Sequence, residues 1–145
     1  MSDLNVEVLI AEDNPEHAQL ALLAFRRHKF RNTVNVVNSG QEALDFIFCR
    51  GEYEGRERAP EAELVLLDLR LGDMSGLDVL GKVKANADTK SIPVVMLTAS
   101  NVGEDIKECF RLGADGYIVK PVTLEALLDT TRQVGFGWRM VKPSD

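Results

Sequence analysis

The sequence predicts an α/β domain: a five-stranded parallel sheet with helices on both faces. Three observations lead there. Short β-branched or leucine-rich runs alternate five times with stretches of helical apolar spacing, the pattern of parallel strands joined by right-handed crossovers. The run Glu63-Leu64-Val65-Leu66-Leu67-Asp68 is apolar at consecutive positions, as a strand covered on both faces must be. The chain's 145 residues, 45% of them hydrophobic, match one domain with a substantial core.

Val6-Glu7-Val8-Leu9-Ile10-Ala11 reads as a first buried strand. It ends in Glu12-Asp13-Asn14-Pro15, where Asn14 suits an N-cap and Pro15 the first helical position. A helix then runs to about His28, with Ala18, Leu22 and Phe25 as one apolar face. Thr33-Val34-Asn35-Val36-Val37 is the second strand. Ser39-Gly40-Gln41-Glu42 matches a capping box and opens a helix through Ala43, Leu44, Ile47 and Phe48.

Residues 50–62 hold Gly51, Gly55, Pro60 and the charged side chains Arg50, Glu52, Glu54, Arg56, Glu57, Arg58 and Glu61, which predicts a long surface loop inside one domain. The strand ending at Asp68 follows. Leu77 to about Asn86 is helical, with Leu77, Leu80 and Val83 inward. Ile92 to Thr98 is a fourth strand, its Pro93 near the start where a missing donor is tolerated. Gly103 to Leu112 is a helix stopped by Gly113, and Gly116-Tyr117-Ile118-Val119 is a fifth strand ended by Lys120-Pro121. The last helix opens at Thr123, and its apolar positions include Leu124, Leu127 and Leu128. Residues 1–134 thus form the domain. Residues 135–145 form a tail whose Phe136, Trp138, Met140 and Val141 either fold back on the core or contact a partner.

A formal net charge of −6 argues against nucleic acid and anionic membranes as partners. No apolar run has the length of a membrane span, and Met1-Ser2-Asp3-Leu4-Asn5 lacks the parts of a signal peptide. Cys49 and Cys109 are too few and too far apart for a zinc site or a disulfide framework, and both are expected reduced, on helices. The expected location is cytoplasmic.

In a parallel sheet all carboxyl ends share one edge, where ligands of open α/β sheets bind. That edge receives Glu12 and Asp13 from the first strand, Asp68 from the third, Thr98 from the fourth and Lys120 from the fifth. Singly, each has a plain structural role: turn cap, helix-start acid, strand-end hydroxyl, surface lysine. Together they define a site. Two unit charges 4 Å apart repel by roughly 4 kcal/mol at an effective dielectric of 20. A hard divalent ion relieves that repulsion, and Mg²⁺ takes one or two carboxylates plus water and phosphate oxygens. Lys120 and the Thr98 hydroxyl are left for a tetrahedral anion, with a carboxylate as nucleophile.

The set Glu12-Asp13, Asp68, Thr98 and Lys120-Pro121 resembles the receiver domain of two-component response regulators, over residues 6–134. The resemblance implies the flavodoxin- or CheY-like strand order 2-1-3-4-5. It implies that Asp68 accepts a phosphoryl group and also binds Mg²⁺ (or Mn²⁺), that Asp13 binds the metal directly, and that Glu12 does so through water. The Arg70 backbone carbonyl would complete the protein's ligands. Thr98 and Lys120 would hold the phosphoryl oxygens, the bond before Pro121 would be cis, and Tyr117 would be the switch aromatic that turns inward with Thr98. Side chains at Arg70 and Ser100 would tune the acyl phosphate's lifetime. The chain departs at Gly72, where the family usually has proline, and glycine loosens the loop.

The Gly51-Glu52-Tyr53 loop, the Leu67-Asp68-Leu69-Arg70-Leu71 run and the tail near Trp138 resemble single-domain regulators encoded with phytochrome-type histidine kinases. That likeness implies a sensor histidine kinase, such as a bacteriophytochrome, as phosphoryl donor. It also implies a homodimer through the last strand, last helix and tail, and a signal leaving by protein contact, with Ile106, Phe110 and Tyr117 on the surface. The expected role is a phosphoacceptor, not an enzyme. A haloacid-dehalogenase-type phosphohydrolase needs a second aspartate where Arg70 stands. A flavodoxin needs a hydroxyl-rich phosphate loop where Glu12-Asp13-Asn14 stands, and a pseudo-receiver usually lacks part of the acid–threonine–lysine set, which is whole here.

Overall fold

A computed structural model describes residues 6–27, 32–57, 63–99 and 103–133. The sheet is wholly parallel: β1 (Val6–Ala11), β2 (Asn32–Val37), β3 (Glu63–Asp68), β4 (Val94–Thr98) and β5 (Gly116–Val119), in the order β2-β1-β3-β4-β5. The helices between them are α1 (Pro15–Arg26), α2 (Gly40–Ile47), α3 (Gly76–Ala85), α4 (Gly103–Arg111) and α5 (Leu124–Gln133). The predicted order and class are those observed.

Alternate strand residues point to opposite faces, and each face has its own core. Val8, Ile10, Leu64, Leu66, Val95 and Leu97 pack against Ala21, Ala24 and Phe25 of α1 and Leu127 of α5. Leu9, Val65, Leu67 and Met96 pack against α2, α3 and Cys109 of α4. All of β3 is buried, including Glu63 at 3% exposure. Each fully buried leucine there stabilises by about 1.5–3 kcal/mol.

Several expectations shift. β4 begins at Val94 rather than Ile92, because Pro93 has no N–H and contributes only its carbonyl, which accepts from Val65 N–H at 3.0 Å. α1 ends at Arg26, and His28 lies outside the described residues. In α3, Leu77 is only half-buried, while Val79 joins Leu80 and Val83 in the core. Cys49 is not helical: it follows α2 in a left-handed conformation, φ 55°. Gly113 stops α4 as expected, at φ 106° with its N–H on the Phe110 carbonyl.

Residues 58–62 of the expected loop lie outside the described residues, and residues 50–57 are not merely solvated. They start with a 3₁₀ turn at Gly51–Tyr53, and Arg56 reaches Glu7 of β1 and Glu63 of β3 with only 10% of its side chain exposed. Lys84 is a second fastening. Its ammonium donates to the Lys90 and Ile92 carbonyls and to Asp115 at 2.7–2.9 Å, tying the end of α3 to the edges of β4 and β5.

Candidate phosphoacceptor and cation site

Hydrogen bonds carry the ladder past the strand ends and so fix the residues that follow. Glu12 N–H donates to the Val37 carbonyl at 3.0 Å, holding Glu12 just beyond β1 at 2% exposure. Asp13, one residue further, faces solvent. Leu69 N–H donates to the Leu97 carbonyl at 2.8 Å, which fixes Asp68 at the end of β3 at 5% exposure. Thr98 ends β4 at 3% exposure, and its carbonyl accepts from Lys120 N–H at 2.8 Å. The Lys120–Pro121 bond is cis.

These residues meet. Asp68 Oδ2 accepts from Lys120 Nζ at 2.9 Å, and Asp68 Oδ1 accepts from the Arg70 N–H at 3.1 Å. Lys120 Nζ also lies 2.6 Å from Glu12 Oε1. This contact is an ion pair between two largely buried side chains. Glu12 Oε2 accepts from Asn14 N–H at 3.1 Å. Oxygens of Glu12, Asp13 and Asp68 lie within 4.8 Å of one another. The cleft over them holds about 400 Å³ and is also lined by His17, Arg70, Thr98, Ala99 and Asp105.

Burial, and then the neighbouring Asp68, push the Glu12 carboxyl up from 4.5 to about 7, against the opposing pull of Lys120 and the Asn14 N–H. Burial pulls the Lys120 ammonium down, but Glu12 and Asp68 outweigh it and the net shift is upward. Lys120 therefore stays charged, while Glu12 is held toward its protonated form. The all-oxygen donor set of Glu12, Asp13 and Asp68 fits a hard divalent ion.

The structure brings Glu12, Asp13, Asp68, Arg70, Thr98 and Lys120 to one cleft. Tyr117 lies apart on β5, 38% exposed, its ring edge-on to Phe110 at 6.0 Å between centroids. Ser100 and residues 135–145 lie outside the described residues. Sequence reasoning missed His17, whose Nδ1 is 3.1 Å from Lys120 Nζ. The signal was present. Asn14 Oδ1 caps α1 by accepting from Glu16 and His17 N–H, and a side chain in a first helical turn leans back toward the N-terminus.

A five-stranded parallel sheet in this order, with acids, threonine and lysine at its carboxyl edge, defines a receiver-type domain. Residues 8–132 match the response regulator receiver domain family, and the chain belongs to it. It is 34% identical over 131 residues to the probable methanogenesis regulatory protein FilR2 of Methanothrix harundinacea (strain 6Ac), spanning 90% of this chain and 82% of that protein. It is 30% identical to response regulator Rcp1 of Synechocystis sp. over 90% of this chain and 87% of that one. Among solved structures, the bacteriophytochrome response regulator RtBRR superposes with TM-score 0.85 at 34% identity, over 97% of this chain and 84% of that one. The Mn²⁺-bound form of Rcp1 gives 0.76 at 28% identity, over 97% of both chains. The phosphorylated cyanobacterial phytochrome response regulator RcpA gives 0.76 at 29% identity, over 94% of both. Among the described residues no helix is long and apolar enough to cross a membrane.

Proposed function

We propose that this chain is a single-domain response regulator that takes a phosphoryl group from a histidine kinase onto Asp68. The observation that carries this reading is the Asp68 carboxylate at the end of β3, hydrogen-bonded to Lys120 at 2.9 Å beside Glu12 and Asp13. An Asp68 oxygen forms a bond to phosphorus as the N–P bond of a phosphohistidine breaks, and the electron pair leaves on the imidazole nitrogen. Lys120 holds positive charge where the phosphoryl oxygens gather, and Thr98 offers its hydroxyl from β4. A bound Mg²⁺ or Mn²⁺ supplies charge neutralisation and alignment. Its protein ligands would be Asp13, Asp68 and the Arg70 carbonyl, with Glu12 acting through water. The Mn²⁺-bound Rcp1 and phosphorylated RcpA structures support this chemistry by similarity.

The likeness to a bacteriophytochrome response regulator supports a bacteriophytochrome-type kinase as donor. The output face is that of α4, β5 and α5, where Phe110 and Tyr117 are exposed at 45% and 38%. Thr98 and Tyr117 form its switch, and a downstream protein or a second copy of the chain reads it. In this reading residues 1–134 are the receiver and 135–145 a contact tail. Light scattering with and without residues 134–145 tests whether the tail supports a homodimer.

Intact-protein mass spectrometry after incubation with acetyl phosphate tests the site. We expect a Mg²⁺-dependent gain of one phosphoryl group that Asp68→Asn abolishes. An adduct that survives Asp68→Asn would place the acceptor elsewhere. Neither an adduct nor binding of beryllofluoride would leave the chain a binding module without phosphoryl chemistry.

A further inference from the structure

The loop that leaves Asp68 is fastened to a helix from another part of the chain. Asp73 accepts the Gly40 N–H at Oδ1 (2.7 Å) and the Gln41 N–H at Oδ2 (3.0 Å), across more than 30 residues. Ser39 Oγ takes the Glu42 N–H at 3.1 Å. The N–H groups that the first turn of α2 leaves open are thus met by its own cap and by a carboxylate from the phosphoacceptor's loop. Met74 makes the docking closer still. A Cβ on Gly40 would come within 2.2 Å of Met74 Cγ, so Gly40 owes its small size to the loop's side chain.

The same loop closes tightly on Asp68. Arg70 N–H donates to Asp68 Oδ1, Leu71 N–H to the Met74 carbonyl at 3.2 Å, and Gly76 N–H to the Leu69 carbonyl at 2.8 Å. Arg70 and Ser75 form an antiparallel bridge, and a Cβ on Gly76 would lie 2.1 Å from the Asp68 carbonyl oxygen. A shift of Asp73 therefore passes to Arg70 and Asp68, since the loop has little slack to absorb it. Gly72 is the exception. It has no left-handed φ, and among the described residues a Cβ there would meet nothing nearer than Asp13 Oδ2 at 3.7 Å. Where proline would stiffen the loop from within, this chain ties it down from outside.

We propose that Asp73 is a positioning residue for the cation site. Its clamp on Gly40 and Gln41 holds residues 69–75, and with them the Arg70 carbonyl and the Asp68 carboxylate that would ligate the cation. The proposal rests on the reading of Glu12, Asp13 and Asp68 as that cation's site. Partners that orient metal ligands from outside the coordination sphere typically change affinity by about 10–100-fold when removed.

Calorimetric titration of the whole chain with Mg²⁺ tests it, on wild type, Asp73→Ala, Asp73→Asn and Ser39→Ala. Asp73→Ala should weaken Mg²⁺ by about tenfold, and Asp73→Asn, which keeps one acceptor oxygen, should recover part of that loss. Ser39→Ala removes the other cap of the same helix and should leave Mg²⁺ affinity at the wild-type value. Equal weakening by Ser39→Ala and Asp73→Ala would overturn the proposal, because helix stability alone would then be at work. Wild-type affinity in Asp73→Ala would overturn the clamp and spare the cation site. Failure of the wild type itself to bind Mg²⁺ would overturn both.

Discussion

Strands β1 and β3 lie side by side and carry an acidic pair at each end. At the amino end Glu7 pairs in register with Glu63; at the carboxyl end stand Glu12 and Asp68. Each pair is met by one cation from a distant loop. Arg56 serves the amino end. Its Nη1 lies 2.8 Å from Glu7 Oε1 and its Nη2 3.5 Å from Glu63 Oε1, while Nε donates to the Phe46 carbonyl and the guanidinium sits 4.0 Å over the Phe46 ring. Lys120 serves the carboxyl end with a point charge shared between Glu12 and Asp68, under an open cleft. A planar fork held by a carbonyl and a ring has one geometry, whereas an ammonium on a flexible stem can release one anion for another. The same electrostatic problem thus has a rigid solution at one end and, if the proposed function holds, an exchangeable one at the other.

The largest expected effect comes from breaking the structural end. Arg56→Ala removes the guanidinium from Glu63, which is 3% exposed, along with its packing on Phe46. Breaking a buried ion pair from one side costs about 3 kcal/mol. Urea unfolding reads this directly, and acetyl phosphate labelling of Asp68 should persist in the folded variant. A loss below about 1 kcal/mol would mean the cluster behaves as a surface salt bridge.

Lys120→Met should cost less, although the lysine is as buried as Arg56, with 11% and 10% of their side chains exposed. Glu12, already raised to about 7, relieves the repulsion by taking a proton, so the loss should fall below the ~3 kcal/mol expected for Arg56. A cation can also replace the ammonium. A ligand at a hundredfold excess over its Kd adds about 2.7 kcal/mol, and without Lys120 competing for Glu12 and Asp68 the variant should bind Mg²⁺ more tightly. The gain in Tm on adding Mg²⁺ should therefore be larger for Lys120→Met than for wild type, and unchanged for Arg56→Ala. Equal gains in both variants would erase the distinction between the two ends.

The carboxyl end was legible in the sequence because its chemistry is local to strand termini. A buried run names the strand, and the residue after it arrives at the shared edge whatever the loops do. Glu12, Asp13, Asp68, Thr98 and Lys120 could all be placed that way. The amino end was not legible. Arg56 is one of seven charged residues between Arg50 and Glu61, and nothing nearby distinguishes the one that reaches Glu7, 49 residues away. Asp73 on α2 and Lys84 on Asp115 are hidden for the same reason, at separations of 33 and 31 residues. Periodicity reports what a segment buries. It does not say which polar side chain will cross the fold to satisfy another segment's backbone or charge. His17 falls between these cases, since the Asn14 cap did point its side chain toward the site.

The smallest effect sharpens the comparison at Gly72. Its neighbours Leu71 and Asp73 are held, by burial at 7% exposure and by the α2 N–H groups respectively, yet Gly72 itself needs neither a positive φ nor a missing Cβ. Its glycine only enlarges the unfolded ensemble. Gly72→Ala should therefore stabilise by about 0.4–1 kcal/mol, seen as a higher urea midpoint with an unchanged slope. Because the added methyl meets nothing closer than 3.7 Å among the described residues, Mg²⁺ affinity and phosphoryl uptake should stay at wild-type values. A stabilised variant with weaker Mg²⁺ binding would mean that the site uses the freedom of Gly72 to admit the ion. In that case the carboxyl end owes its exchangeability to its backbone as well as to its lysine.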